Sequence, residues 1–264
     1  MTVADRSKAR RSGQSAGQTA DQQPLVISGL CKSFGPQKVL DGVDLTAERG
    51  QTVVVLGQSG TGKSVLLKLI AGLHQPDRGS IKIHGREIVG LGMDSLNEIR
   101  KKIGFLFQQA ALYDSLTVEE NVEFPLMRHA KLSDSERHEK VRSLLASVGM
   151  ERDLSKMPSD ISGGMQKRVG LARALALDRD ILLFDEPTSG RDPITSTAVG
   201  NLIIKLKKER ELTPVVVTHD VHGAKAFAER VVLLREGRIV IDGTFDQLSQ
   251  SRDPFVAEFL RDAA

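Results

Sequence analysis

Residues 57–64 constrain this chain more than any other feature, because a fixed glycine spacing stands between a buried run and an apolar helical stretch. They read Gly57, Gln58, Ser59, Gly60, Thr61, Gly62, Lys63 and Ser64, which fits G-x-x-x-x-G-K-[ST]. The unbroken apolar run 53–56 comes before them and the apolar stretch 65–71 comes after. This strand–loop–helix order is the context that the motif requires, so we predict a phosphate-binding loop.

The residue types of the loop suit that chemistry. Glycines let the backbone curl so that its N–H groups face inward, and the following helix adds partial positive charge at its N-terminus. Lys63 would bring a full charge to the β- and γ-phosphates, and the Ser64 hydroxyl is a ligand that Mg²⁺ accepts. All eight residues are therefore predicted to hold a nucleoside triphosphate.

An acidic pair, Asp185 and Glu186, ends a second buried run at 181–184. Ligands of α/β sheets lie beyond the carboxyl ends of the strands, which places both carboxylates near the loop. We predict that Asp185 contacts a Mg²⁺ held by Ser64 and that Glu186 polarises the attacking water. A kinase, a GTPase and a helicase would fit the loop and the acids equally well.

A second glycine-rich stretch narrows the choice. Residues 161–165 read Ile-Ser-Gly-Gly-Met and precede a predicted helix at 169–177. Ser162, Gly163 and Gly164 would form another backbone cradle for an anion at a helix start. One chain thus has two predicted phosphate-binding elements.

This stretch resembles the Leu-Ser-Gly-Gly-Gln signature of the ABC transporter ATPases, and the resemblance covers roughly residues 25–245. It implies an ATPase that binds ATP and Mg²⁺ in a head-to-tail dimer, where each site joins the loop of one chain to the signature of a second copy. Met165 departs from the usual glutamine. The Ser-Gly-Gly part is intact, so the resemblance implies a working signature.

The same resemblance assigns roles to residues spread along the chain. Phe34 stands where an aromatic stacks on adenine, and Gln108 where a glutamine contacts Mg²⁺ and the attacking water. His219 stands where a histidine contacts the γ-phosphate. Asp192 lies in the loop 189–192, which crosses the dimer interface and binds nucleotide. Arg191 replaces the usual leucine of that loop and would put a charge at the interface.

A closer likeness involves segments 103–108, 121–126, 157–165, 192–195 and 253–260. They are similar to the ATPases of Mla-type and Mce-associated lipid transporters. That likeness implies phospholipid transport that maintains outer-membrane lipid asymmetry, integral-membrane permease subunits and a lipid-binding Mce/Mla-type partner. It implies a peripheral location on the cytoplasmic face of the inner membrane. Lipid uptake in an actinobacterium, lipid import in a plastid and an amino-acid importer remain alternatives.

Hydrophobic patterning predicts an α/β fold. Residues 25–27 form a strand, and the buried runs 53–56, 181–184 and 215–217 belong to a mostly parallel sheet. Alternation at 80–85 and 238–242, with the run 231–234, predicts hairpin strands in an antiparallel layer. Ser133 and Glu136 fit a capping box that starts a helix ending near Gly149. The prediction is a P-loop ATPase with an antiparallel β layer and an inserted helical subdomain at about 110–165.

Composition bounds the remaining expectations. Residues 1–23 read as a disordered tail without a signal-peptide core, residues 24–249 as the ATPase domain and residues 250–264 as a C-terminal helix. Phe255, Phe259 and Leu260 form an apolar face on that helix, for the chain's own core, a dimer contact or a regulator. The single cysteine, Cys31, excludes an intramolecular disulfide. With a net charge of only +3, no Trp and one Tyr, we predict no nucleic-acid partner.

Single copies of the loop and of the signature also argue against an ABC ATPase of DNA repair or translation, which usually contains long coiled coils or two cassettes. That class stays open as an alternative, as do a small-molecule kinase and a silent regulator.

Overall fold

A computed structural model describes residues 22–188 and 193–262, with the backbone alone at 193–197 and 262. The predicted tail lies outside these residues apart from its last two. The loop 189–192, with the expectations on Asp192 and Arg191, lies outside them as well. No helix within the described ranges is long and apolar enough to cross a membrane.

A six-stranded sheet forms the centre of the fold, with strand order β10-β9-β3-β8-β7-β6. Its strands are β3 (Val53–Leu56), β6 (Ile103–Leu106), β7 (Ile181–Asp185), β8 (Thr213–Thr218), β9 (Arg230–Arg235) and β10 (Arg238–Gly243). All neighbours pair in parallel except β10, which runs antiparallel to β9. The predicted parallel core is confirmed.

A four-stranded antiparallel sheet, in the order β2-β1-β4-β5, forms a second layer. Its strands are β1 (Leu25–Phe34), β2 (Gln37–Ala47), β4 (Arg78–Ile83) and β5 (Arg86–Glu87). The predicted hairpin strand at 80–85 belongs to this layer. The hairpin of 231–234 and 238–242 does not, because β9 pairs in parallel with β3 and extends the central sheet. Placing it in the antiparallel layer was therefore wrong.

Nine α-helices and one 3₁₀ helix are present in the described residues. They are α1 (Lys63–Ile70), α2 (Met93–Arg100), α3 (Val118–His129), α4 (Asp134–Ser147), the 3₁₀ helix Pro158–Asp160, α5 (Gly163–Ala174), α6 (Pro193–Arg210), α7 (Val221–Lys225), α8 (Phe245–Ser249) and α9 (Pro254–Asp262). The helix predicted at 169–177 thus begins earlier, at Gly163, directly after Ser162.

Apolar residues on both faces of the central sheet explain its position. Val53 and Val55 of β3 pack with the antiparallel sheet, α1 and α2, whereas Val54 and Leu56 pack with the helical region and the C-terminal helices. All four side chains are fully buried. A strand covered on both faces reads as a continuous apolar run, which is why its bounds were predictable.

Side-chain caps fix where the helices of the 110–165 region begin. Ser133 accepts a hydrogen bond from the N–H of Glu136, whose carboxylate in turn accepts one from the N–H of Ser133. Thr117 and Glu120 form the same reciprocal pair at the start of α3. Such a capping box satisfies two helix-end donors at once. The predicted start of the helix after Ser133 is confirmed, and the subdomain boundary stays a prediction.

The C-terminal helix packs on the chain's own core. Val256 and Phe259 of α9 are buried in the cluster that also contains Leu248, and Phe255 and Leu260 pack partly against it. The guanidinium of Arg235 lies 4.0 Å from the centre of the Phe255 ring, a cation–π contact. The apolar face predicted on this helix is therefore used within the chain.

Candidate functional site

The loop 57–64 connects the carboxyl end of β3 to α1. Gly60 and Gly62 have φ angles of +82° and +101°. A Cβ on Gly57 would lie 2.6 Å from the carbonyl oxygen of Leu234. Only glycine adopts such a path without strain or clash. No side chain caps the start of α1, so the backbone amides there can bind an anion. The loop thus has the shape of an anion cradle.

We expect Gly62→Ala to destabilise the fold more than Gly60→Ala, although both glycines have positive φ. A Cβ on Gly62 would lie 2.9 Å from Cγ1 of Val39 and 3.0 Å from Cδ2 of Leu40, whereas a Cβ on Gly60 meets nothing within 4 Å. Backbone strain of about 1–2 kcal/mol applies to both variants, and crowding of about 1–3 kcal/mol only to the first. Urea unfolding measures the difference, and equal losses would contradict this packing.

Lys63 turns its ammonium into the curve of the loop. Its Nζ donates to the carbonyl oxygens of Gly57 at 2.8 Å and Gln58 at 2.9 Å, and lies 3.9 Å from Oε1 of Glu186. Burial lowers the pKa of Lys63, while the negative charges of Glu186 and Asp185 act in the opposite direction. A buried cation held at the mouth of the cradle is placed to bind a phosphate anion.

Ser64 and Asp185 meet at the edge of the loop, as the sequence predicts. The Ser64 hydroxyl donates to Oδ1 of Asp185 at 2.7 Å. Burial raises the pKa of Asp185 above its ordinary value, and the bond from Ser64 partly offsets this. Two oxygens that converge beside a phosphate cradle fit Mg²⁺, which takes one or two protein ligands and completes its shell with phosphates and water. No cluster of three or more His, Cys, Asp or Glu ligands exists within 22–188 and 193–262.

Glu186 is the most constrained carboxylate of the site. It is buried, and Oε2 accepts a hydrogen bond from the Thr218 hydroxyl at 3.0 Å. Oε1 lies 3.0 Å from Nδ1 of His219, and the Glu186 amide donates to the carbonyl oxygen of Val217. Residues at and after the end of β8 therefore hold the side chain of Glu186, which directly follows β7.

The backbone at Glu186 is unusual as well. Its φ angle is +52°, in the left-handed region that residues other than glycine seldom adopt. Such a conformation costs about 1–3 kcal/mol and persists only where surrounding contacts impose it. Here the hydrogen bonds to Val217, Thr218 and His219 impose this conformation. Its cost in folding free energy is accepted because it directs the carboxylate toward Lys63.

Gln108 and Phe34 lie in exposed positions around this centre. Gln108 follows β6 by two residues, just as Glu186 follows Phe184, which pairs with Leu106 across the β6–β7 ladder. Parallel register therefore brings Gln108 to the same sheet edge as the acidic pair. Phe34 ends β1 with 44% of its surface exposed, as an aromatic platform for a base would require.

Ser162, Gly163 and Gly164 lie apart from this cluster. Ser162 caps α5 by accepting a hydrogen bond from the N–H of Met165 at 3.3 Å, and Ser162 and Gly163 are exposed. Within the described part of the chain, no hydrogen bond or ion pair joins residues 162–164 to residues 57–64. The second cradle thus faces outward and does not complete the first one.

A family model described as "ABC transporter" matches residues 40–189, more than half of the chain. The intermembrane phospholipid transport system ATP-binding protein MlaF of Haemophilus influenzae is 36% identical over 241 residues, covering 91% of each chain. The chain belongs to the ABC transporter family. It contains the ATPase domain of that family.

Other relatives differ in what their names say they transport. A probable ribonucleotide transport ATP-binding protein mkl of Mycobacterium tuberculosis is 42% identical over 236 residues. The match covers 89% of this chain but only 66% of that relative, so this chain spans about two thirds of the length of that protein. The methionine import ATP-binding protein MetN 2 of Rhodococcus jostii is 43% identical over 248 residues, covering 90% of this chain and 73% of that protein.

The fold matches a solved ABC cassette. The dimeric post-hydrolysis structure of the ATP-binding cassette MJ0796 bound to ADP and Pi has a TM-score of 0.77 and 36% identity, covering 83% of this chain and 98% of that one. The predicted fold class is confirmed.

Two polar residues of the site escaped sequence reasoning. Thr218, which bonds Glu186, belongs to a run that reads as a strand end. Lys167 of α5 donates to the carbonyl oxygen of Pro187 at 3.0 Å, and burial lowers its pKa while Glu186 raises it. Lys167 lies two residues after the signature, which was the available signal, but its contact with the residue after Glu186 depends on tertiary packing.

Proposed function

We propose that this chain binds and hydrolyses ATP as one of a pair, and that hydrolysis drives phospholipid movement through a membrane permease. The observation that carries the proposal is the meeting of Lys63, Glu186 and His219 at the end of the phosphate-binding loop. A cation for phosphate, a buried carboxylate for water and a histidine that orients the carboxylate are what ATP hydrolysis requires.

Each side chain has a proposed role. Lys63 binds the β- and γ-phosphates, and the loop amides bind the remaining phosphate oxygens. Glu186 accepts a proton from the attacking water, while His219 and Thr218 hold its two oxygens in place. Gln108 contacts the same water. Ser64 and Asp185 would hold Mg²⁺, which neutralises charge on the phosphates when bound.

We propose that the signature acts on the nucleotide of a second copy. Because Ser162 and Gly163 are exposed, and residues 162–164 form no hydrogen bond with the loop of their own chain, a partner chain is the simplest source of a phosphate for them. ATP would then bridge two chains, with Phe34 against the adenine and Asp192 near the interface. Hydrolysis removes the bridge, and a permease responds to the opening of the pair.

The permease would bind in a cleft between the central sheet and α3. This cleft has a volume of about 390 Å³, and its walls include Phe105, Phe107, Tyr113 and Phe124. Aromatic residues around a concavity suit a helix-in-groove contact. Two of the lining residues, Phe107 and Ala111, stand close to Gln108 in the chain. A movement of Gln108 on nucleotide binding would therefore reach a bound permease through few residues.

The phospholipid assignment rests on the sequence likeness to Mla-type ATPases and on the similarity to MlaF over nearly its whole length. It includes a lipid-binding Mce/Mla-type partner and a location on the cytoplasmic face of the inner membrane. Methionine import is the second candidate, since a methionine importer is 43% identical over 248 residues, although the match covers 73% of that protein.

Reconstitution separates the two candidates. The tagged chain is purified with its membrane partners and reconstituted into vesicles. Labelled phospholipid is supplied outside the vesicles, and labelled methionine is supplied either inside or outside them. We expect ATP-dependent transfer of phospholipid and none of methionine, and no transfer with Glu186→Gln. ATP-dependent methionine movement without lipid transfer would overturn the lipid assignment and leave the ATPase intact.

A further inference from the structure

Two arginines face the cleft described above without a carboxylate. Arg173 lies near the end of α5, Arg179 follows it before β7, and both line the cleft. Arg100 is the third arginine in its wall, and the wall contains no Asp or Glu among the described residues. We call the pair Arg173 and Arg179 the arginine pair.

In the described part of the chain, the hydrogen bonds of the arginine pair go only to backbone oxygens, and Arg173 also lies 5.8 Å from the centre of the Tyr113 ring. Arg173 donates to the carbonyl oxygen of Ala110 at 2.7 Å, and Arg179 donates to that of Ala174 at 3.2 Å. The Nε of Arg179 is buried and has no hydrogen-bond partner. Arg100 differs, because its donors already bind Ala71, Gly72 and Asn97.

The acids nearest in sequence are engaged elsewhere. Asp178 forms an ion pair with Lys140, and Asp180 forms one with His84. Among the described residues, neither carboxylate forms an ion pair with the arginine pair. Burial, together with the nearby charge of Arg173, lowers the pKa of Arg179 to about 10. Half-buried like charges without a counter-ion are costly, and a carboxylate from outside would offset that cost.

The surroundings favour a protein segment as the source of that carboxylate. Leu73 and Tyr113 line the cleft and are each nearly half exposed, which leaves apolar surface at its rim. Aromatic residues and arginines are the types enriched at protein interfaces. Paired guanidinium groups also match the two oxygens of a carboxylate.

We propose that the arginine pair binds an Asp or Glu side chain of the permease segment that occupies this cleft. The carboxylate lies between the two guanidinium groups, and an apolar neighbour on the same segment packs against Phe105 and Phe124. The inference rests on the proposed function and adds the chemistry by which the chain selects its membrane partner.

Arg179→Met tests this with two readouts of opposite sign. Methionine keeps the length of the side chain and removes the charge. We expect the free chain to melt at the same or a higher temperature, since an unpaired buried group is gone. We expect at least a tenfold loss of permease retained by the purified chain, with unchanged ATP hydrolysis by the chain alone. Arg238→Met is the matched control, because Arg238 pairs with Asp41 in the other layer.

A crosslinking experiment identifies the carboxylate. Arg179→Lys keeps the positive charge and adds an amine that a carbodiimide joins to a carboxylate in contact with it. Mass spectrometry of the treated complex should find a bond from position 179 to an Asp or Glu of the permease. The same treatment of Arg238→Lys should give no bond to the permease.

The outcomes separate this inference from the proposed function. If the parent chain retains no permease, the proposed function fails. If the parent and Arg179→Met retain the permease equally, or if Arg179→Met melts lower, the arginine pair is structural and this inference is wrong. A crosslink to a second copy of this chain, or Arg179-dependent binding of inorganic phosphate instead of the permease, would overturn it as well.

Discussion

Lys63→Ala is expected to abolish ATP turnover and to weaken ATP binding by about 100-fold or more. The ammonium of Lys63 is the cation that the loop holds inside its own curve, 2.8 Å from the Gly57 carbonyl oxygen. Hydrogen bonds to charged groups contribute about 1.5–3 kcal/mol each, so losing two phosphate contacts accounts for a change of that size. Binding of a fluorescent ATP analogue and release of inorganic phosphate measure the two effects.

Lys101→Ala is the matched control for this variant. Lys101 is a surface lysine that pairs with Glu98 at the end of α2, away from the loop. We expect parent rates from it, because exposed ion pairs contribute little. Thermal melting of both variants checks that the fold persists. Parent-level phosphate release from Lys63→Ala would show that the loop does not act on the nucleotide as proposed.

Glu186→Gln is expected to keep ATP binding and to lower turnover by ~10² or more, as for loss of a general base. Glutamine has the same shape and accepts the hydrogen bond from Thr218, so the geometry at the end of β8 persists. Neither residue is glycine, and the strain of the positive φ at this position is therefore the same in both chains. The lost property is the capacity to accept a proton from water.

Single-turnover phosphate release, at ATP concentrations that saturate both proteins, measures this step without product release. Glu236→Gln is the control, since Glu236 is exposed beside Arg235. Release at the parent rate from Glu186→Gln would assign the base to another residue, with His219 as the next one to test.

Sequence patterns predicted the parts of the fold that local chemistry determines. The run 53–56 became β3 without a shift, and the capping box at Ser133 started α4 at the next residue. The continuous apolar run marks a strand covered on both faces, and the capping residues mark the start of the helix. Both signals are local, so no knowledge of the partner elements was required.

Other features depended on contacts that a linear sequence hides. The segment 103–106 was recognised only as part of a resemblance, although it forms β6. Gly104 interrupts its apolar pattern, and a Cβ there would lie 2.3 Å from Cδ2 of Leu182 and 2.7 Å from the Ala174 carbonyl oxygen. The glycine is needed because α5 and β7 pack against it. The position of β9 in the central sheet likewise depends on its parallel pairing with β3, which the sequence of β9 alone does not indicate.

The candidate site divides along the same line. Its residue types and order could be predicted, because the loop, the acidic pair and the histidine each follow a buried strand. The left-handed backbone of Glu186 and its bond from Thr218 could not, because they arise where β7 and β8 end side by side. The arginine pair was missed since Arg173 and Arg179 belong to stretches that read as an ordinary helix end and its loop.

The central claim is that ATP joins the loop of one chain to the signature of another, and sedimentation of Glu186→Gln with Mg²⁺ and ATP tests it most directly. With ATP, we predict a sedimenting species of twice the mass of a single chain. With ADP, we predict the mass of a single chain. Adding Ser162→Arg to the same variant should leave ATP binding intact and abolish the dimer, because Ser162 is exposed and forms no hydrogen bond with its own loop. A dimer that persists with Ser162→Arg, or that forms equally with ADP, would contradict the account.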